Sequence, residues 1–310
     1  MKHTSKTLAF LTLVSAIILA PSGFAAEQNH FNSESTLKSH LAKVQLYRWY
    51  QLYERPMNDA RIANQMALFD ENIIINSTSG QLKGKPNYPD ALQRFKGWKN
   101  AHHVQSVTVT NTEKGAYQLT ANIIYQGIKP DGEKSSYRID YNTKLTSNGD
   151  LLPVFANIDL NVTGPAPVTF DDSYADNRML SLLHYWLALM EQLDGNVEPF
   201  KEILTDDFRL NLSAKNNNIN NIESFTKWLN GVPLQLQQSS HHIKNFSAQQ
   251  IGADLYQLQV DFDWYGIMKT GQRMTAKTRH IWQVVDNPNE RFARVQKVDV
   301  ETLEDFKILK

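Results

Sequence analysis

At 310 residues the chain is too long for one core of ordinary size and fits two domains of roughly 150 residues each. A hydrophobic share of 41% with 21% charged residues excludes wholesale disorder, collagen-like repeats and a polytopic membrane protein, and 32 basic against 32 acidic side chains remove any bulk attraction to nucleic acid or an anionic bilayer. With no cysteine, disulfides, thiolate metal sites and a cysteine nucleophile are excluded together.

Residues 1–26 read as a cleaved export signal. Lys2 and Lys6 give a basic start, Thr7 to Ala20 is apolar, and Gly23 and Ala25 suit the −3 and −1 positions of a signal peptidase site. The apolar run is shorter than the roughly 20 residues that span hydrocarbon, so a soluble product in the periplasm or medium of a bacterium is expected.

Beyond the signal, Leu41, Val44, Leu46, Trp49 and Leu52 fall near helical spacing and predict a helix to Tyr53. A second short helix is expected over Ala60 to Phe69, a β-rich run at Ile73 to Asn76, and a third helix over Asp90 to Lys99, with Ala91, Leu92, Phe95 and Trp98 on one side. Four alternating segments follow: Val104 to Val109, Tyr117 to Tyr125, Ser136 to Leu145 and Val154 to Val162. Gly115, Asp131-Gly132 and Asn148-Gly149 lie between them as turns, which predicts an antiparallel meander.

The pattern then recurs. Ala101-His102-His103-Val104-Gln105-Ser106 is answered 139 residues later by Ser240-His241-His242-Ile243-Lys244-Asn245, and the same offset carries Tyr117-Gln118-Leu119 onto Tyr256-Gln257-Leu258, Tyr125 onto Trp264 and Gly127-Ile128 onto Gly266-Ile267. Upstream, Asn76 pairs with Asn211 at 135, Phe95 and Trp98 with Phe225 and Trp228 at 130, and Arg48-Trp49-Tyr50 with His184-Tyr185-Trp186 at 136. Ile158-Asp159-Leu160 answers Val298-Asp299-Val300 at the far end. The fold class expected is therefore α+β: two tandem domains over residues 35–163 and 176–306, each with helices packed on one face of a strongly curved, mostly antiparallel sheet. Gly164-Pro165-Ala166-Pro167 predicts a stiff linker over 164–175.

This element order, with a His-His-Val strand start after the third helix, resembles the nuclear transport factor 2-like superfamily, and within it the polyketide cyclase (SnoaL-like) group, twice over. The resemblance implies a cone-shaped pocket in each copy and a pseudo-dimer in which the outer sheet faces pair, with Val107, Val109, Ile123 and Tyr125 shared between pocket and interface. It says little about chemistry, because the same cone hosts dehydratases, isomerases, cyclases, epoxide hydrolases and pure binding proteins.

Neighbouring strand residues face opposite ways, so one histidine of each pair enters its cone. Alternation groups His103 with Val107 and Val109, and the resemblance places a dehydratase's catalytic histidine at the matching position. His103 and His242 are thus the expected inward pair, either as general bases near an ordinary pKa of about 6.5 or as hydrogen-bonded groups at the cone mouth. Asp159 and Asp299 sit between apolar neighbours on the last strands. Only the second copy adds a further carboxylate, Asp263, where the first has Ile124. Two carboxylates that meet in an apolar pocket raise one pKa, whereas apart they are ordinary solvated strand acids. Tyr47, Trp49, Tyr50 and Tyr53 crowd the first helix and serve either as core or as an aromatic wall. The candidate set is His242, Asp263, Asp299, Trp264 and Asn211 in the second copy and His103, Asn76, Tyr125 and Asp159 in the first. Tyr137, Asp140 and Tyr141 facing Ala276, Arg279 and His280 show that the pockets have drifted apart.

No phosphate loop, nucleophile elbow, H-E-x-x-H or paired metal-ligand spacing occurs, so no cofactor and no metal are expected. Two functional readings remain: a noncatalytic exported protein that binds a small apolar or aromatic molecule, and a cofactor-independent lyase or isomerase with His103 or His242 as general base.

Overall fold

A computed structural model describes residues 30–111, 116–212 and 217–309; the expected export signal and the turn at Gly115 lie outside the described residues. The first half opens on α1 (Ser33–Tyr53), started by Asn32, whose side chain accepts the Ser35 amide at 3.1 Å. From His40 to Leu52 α1 is buried on nearly every face, so its aromatics have two neighbourhoods: one side fills a cone and the other packs on α4 (Tyr174–Glu191) of the second half.

After α2 (Asp59–Met66) the chain enters β1 (Phe69–Ser77) and the short edge strand β2 (Gly80–Lys83), which the sequence did not announce. The helix expected over Asp90 to Lys99 is broken. Residues Tyr88–Leu92 form α3, Gln93–Phe95 tighten to a 3-10 turn, and Gly97 at φ +78° ends it in a conformation that β-carbon-bearing residues resist. Strands β3 (Lys99–Asn111), β4 (Ala116–Ile128), β5 (Lys134–Thr146) and β6 (Val154–Pro165) form the meander. β6 also pairs in parallel with β1, giving the order β2-β1-β6-β5-β4-β3. The last strand runs two residues into the expected linker, with Pro165 opposite Tyr137.

The second half repeats the plan with α4, β7 (Leu204–Leu212), β8 (Asn217–Ile219), α5 (Ile222–Gln235), β9 (Leu236–Gln250), β10 (Leu255–Met268), β11 (Arg273–Val285) and β12 (Arg294–Leu309). Its strand order, β8-β7-β12-β11-β10-β9, is the same. Here the third helix is continuous, opened by a capping box in which Asn221 accepts from the Ser224 amide at 2.8 Å.

The halves pack against each other, but not through the sheet backs. Val107, Val109, Ile123 and Tyr125 all belong to the first half's inner core, while the outer face carries a polar ladder. Ser106 donates to Asn122 and Asn122 to Asp140 in the first half; Asn245 and Arg279 both donate to Asp261 in the second. Such a face keeps its water, because burying it would strip solvent from groups already paired along the sheet. The helices form the interface instead. Leu41 and Val44 of α1 sit in the second half's core, and His40 Nδ1 lies 2.8 Å from His184 Nδ1, with Tyr47 stacked on His184. The segments leading into the helices cross over as well. The carbonyl of His30 accepts from His242 of the second sheet at 3.2 Å, and that of Asp171 from His103 of the first at 3.1 Å.

Candidate functional site

Those crossed contacts already place the second histidine of each pair. His103 and His242 point out of their cones and pin the lead-in segment of the opposite half, so the expectation that they face the pockets is corrected. The cause is a β-bulge. Val104 pairs with Ile123 but Ser106 with Asn122, and likewise Ile243 pairs with Phe262 but Phe246 with Val260. One extra residue reverses the alternation, so the inner face is His102, Val104, Val107, Val109 in one copy and His241, Ile243, Phe246, Ala248 in the other.

Each inward histidine is held by a glutamate at the end of its long helix, which the candidate set lacked. Glu54, the C-cap of α1, accepts from the His102 amide at 2.9 Å and from His102 Nδ1 at 3.2 Å. Glu191, the last residue of α4, accepts from the His241 amide at 2.6 Å and from His241 Nδ1 at 3.2 Å. Burial pushes the Glu191 carboxyl up, but His40 and His241 outweigh it and hold it below its usual range, so it is an anion. Donation from Nδ1 to the carboxylate fixes the tautomer and leaves Nε2 of His241 for the cavity it lines. A signal for these residues existed. An offset of 137 rather than 136 puts Trp49 on Trp186 and Glu54 on Glu191, and a carboxylate at a helix C-terminus opposes the macrodipole.

The two cones differ in content. In the first, Tyr50 stacks flat on His102 at 4.8 Å, Tyr141 meets Tyr50 edge-on, and Tyr125 donates to Asn100 at 2.9 Å. A side cavity of about 160 Å³ lies between Tyr53, Tyr88 and Arg94, and His102 is not among its lining residues. In the second, Leu187, Met190 and His280 stand where Tyr50, Tyr53 and Tyr141 stand, and a cavity of about 1050 Å³ opens. Trp186, Met190, Met274, Val300, Trp264 and Phe306 give it apolar walls; His241, His280 and Ser239 are among its few polar groups, and Lys227 lies at its edge. Trp264 lies back along its strand, its indole donating to Ser239 at 2.9 Å, over Gly266, where a Cβ would come within 2.4 Å of the ring. Gly127 lies under Tyr125 in the same way. His280 is neutral: burial, reinforced by His241, pushes it down to about 3.

The predicted carboxylates do not converge. Val298 and Val300 face inward, so Asp299 faces outward, where it accepts from Asn211 at 2.6 Å and lies 2.7 Å from Lys297. Burial pushes its pKa up, yet Lys297 and Asn211 together keep it below the ordinary value. Asp263 is paired with Lys244 at 3.0 Å on the same outer face. Asn76 and Asp159 bond to each other at 2.6 Å on the back of the first sheet. Asn76, Asp159, Asn211, Asp263 and Asp299 are therefore strand-back pairs, corrected for the same reason: their apolar neighbours take the inside. Of the nine candidates, only Tyr125 and Trp264 face into a cone. Among the described residues no cluster of three or more His, Asp or Glu suits a metal ion, and no helix is long and apolar enough to cross a membrane.

No family model and no curated protein matches the chain. Solved structures do match. A nuclear transport factor 2-like superfamily protein from Salmonella enterica serovar Typhimurium is 9% identical, covering 42% of this chain and 92% of its own, with a TM-score of 0.37. A hexachlorocyclohexane dehydrochlorinase from Novosphingobium barchaimii is 13% identical over 43% of this chain and 89% of its own, with a TM-score of 0.38. A protein with a cystatin-like fold from Caulobacter vibrioides is 11% identical over 42% and 90%, with a TM-score of 0.36. Each half is an α+β unit of one design, a long helix packed on a six-stranded sheet of the same strand order. A shared fold does not fix an activity, so the chemistry follows from the cavity itself.

Proposed function

We propose that the chain is an exported protein whose second cone holds one small apolar or aromatic molecule, the first cone serving as a filled scaffold. The observation that carries this reading is the contrast between a cavity of about 1050 Å³ with largely apolar walls and a homologous interior closed by three tyrosines. A volume of that order suits a ligand of drug-like size or somewhat larger. Three methionines at the wall, Met190, Met268 and Met274, supply adaptable surface, and Trp264 with Phe306 offers aromatic faces. Export rests on residues 1–26 alone and is tested by cell fractionation.

The test is mass spectrometry of small molecules extracted from the full-length gene product purified from its host. Wild type should carry a ligand, and Val300→Trp, which drives an indole into the cavity, should cut occupancy at least about tenfold. His242→Ala, Asp263→Asn and Asp299→Asn should leave occupancy unchanged. Equal occupancy in wild type and Val300→Trp would sink the reading, and loss in Asp263→Asn or Asp299→Asn would return the site to the sheet back.

A second reading, a cofactor-independent lyase or isomerase, is favoured by the Glu191–His241 pair alone. An imidazole tied at Nδ1 to a buried carboxylate and bare at Nε2 is a general base that needs no cofactor. The expected result is deuterium uptake from heavy water into an acidic C–H of the bound molecule, lost in His241→Ala. No uptake at any site in wild type leaves the binding reading alone.

A further inference from the structure

Each glutamate is also contacted from the other half. In the first cone, Asn177 of α4 donates to Glu54 Oε1 at 2.8 Å, together with Ser173 at 2.6 Å. In the second, His40 of α1 brings Nε2 to 3.5 Å from Glu191 Oε1. Positions 40 and 177 are 137 residues apart, the same offset that relates Glu54 to Glu191, so one position in the repeat reaches across in both directions. We propose that His40 is a positioning residue for the second cone, holding the Glu191 carboxylate against His241 and so fixing which imidazole nitrogen faces the cavity. This rests on the reading that His241 is the working polar group of that cavity.

The proton on His40 follows from its two neighbours. His184 is buried, and burial first, then His40 and Lys43, pushes it far below its ordinary value, so it carries a single ring proton. If that proton sits on Nδ1, it is donated to His40 Nδ1 across 2.8 Å, which is then bare, and the proton of His40 sits on Nε2. If His184 Nδ1 is bare, His40 Nδ1 is the donor. Its Nε2, buried 3.5 Å from Glu191 Oε1, then presents a proton to the carboxylate only if both ring nitrogens are protonated. The first arrangement, with both imidazoles neutral, aims an N–H from His40 at Glu191 across 3.5 Å. Outer partners of this kind orient an imidazole by fixing the carboxylate that holds it. The two copies place different side chains there: the Asn177 amide hydrogen-bonded to Glu54, and the His40 imidazole 3.5 Å from Glu191.

The test is side-chain nitrogen NMR of the imidazoles in the full chain. In wild type His241 should be the Nδ1–H tautomer and His40 protonated at Nε2. In His40→Ala the Nδ1–H share of His241 should fall by about twofold or more, toward the Nε2–H form that unconstrained imidazoles favour, and His40→Gln, which keeps a side-chain N–H at similar reach, should restore it. An unchanged tautomer in a His40→Ala protein that is folded by circular dichroism overturns the proposal. Should that variant fail to fold, the wild-type spectrum decides, because His40 bare at Nε2 overturns it equally. Ligand occupancy is not read here, so an empty cavity would remove the binding reading and leave this result standing.

Discussion

Arg178→Leu is expected to lower the free energy of unfolding by about 3–5 kcal/mol, measured by urea unfolding with an unchanged m-value. Arg178 is fully buried in the first turns of α4. Its Nε donates to Asp286 at 2.8 Å, and its two terminal nitrogens donate to the carbonyls of Arg291, Asn287 and Glu290 at 2.9, 3.1 and 3.2 Å. Leucine matches part of the volume but leaves three carbonyls without their donor and the buried Asp286 carboxylate with the Tyr174 hydroxyl but no countercharge, and a buried charge without its countercharge costs more than the pair contributes. The loop so held carries Phe292, stacked on Tyr185 at 4.4 Å and lying 5.3 Å from the Arg48 guanidinium of α1, so loosening it also loosens the join between the halves. Arg178→Lys should recover only part of the loss, since an ammonium cannot reproduce the guanidinium fork. A loss below about 1 kcal/mol would show that the loop is held by its own turns.

The second large effect is a pH dependence. His280 has a folded-state pKa pushed down to about 3 against an ordinary 6.5. Above pH 6.5 both states are neutral there, and its full contribution is present. As pH falls below 6.5 the unfolded chain takes up a proton that the folded chain refuses, so stability is lost progressively down to about pH 3. Between pH 7 and pH 5 the loss assigned to His280 is about 1–2 kcal/mol, after allowing for water that reaches the ring through the cavity. His280→Gln removes that share of the slope. The variant's stability relative to wild type should therefore rise by this amount between pH 7 and pH 5 in paired urea titrations. The window stays clear of Glu191, whose folded pKa is lowered, so that its contribution is lost only under stronger acid. Parallel wild-type and variant curves would mean that His280 is solvated in the folded state.

Much of the architecture was legible in the chain. The offset of 139 across the meander, the turn pairs at Asp131-Gly132 and Asn148-Gly149 and the helical spacing from Leu41 to Leu52 each encode a local backbone preference repeated over many residues. Even the difference between the cones is present as Tyr50 against Leu187, Tyr53 against Met190 and Tyr141 against His280, once the helix offset is read as 137. What alternation could not deliver was the inward histidine. Counting back from Val107 leads to His103, and a single bulged residue moves the answer to His102.

A bulge is a property of a strand pair. Nothing in the residues of β3 alone requires it, and it becomes visible only in the register against β4. The same holds for Glu191. Its helix ends there by sequence, yet its partners His241 and His40 are 50 and 151 positions away and belong to a strand of its own half and a helix of the other. The carboxylates misplaced by sequence failed for the complementary reason. Asp263 and Asp299 obey alternation, but which face of a strand is the inside depends on where the central helix lies. The chain by itself thus determined that there are two helix-and-sheet units of one design, because local periodicity carries that information. Tertiary structure decided which histidines enter the cones, which acids hold them, which cone is open and that the halves join through helices, because each depends on pairings between segments far apart in sequence.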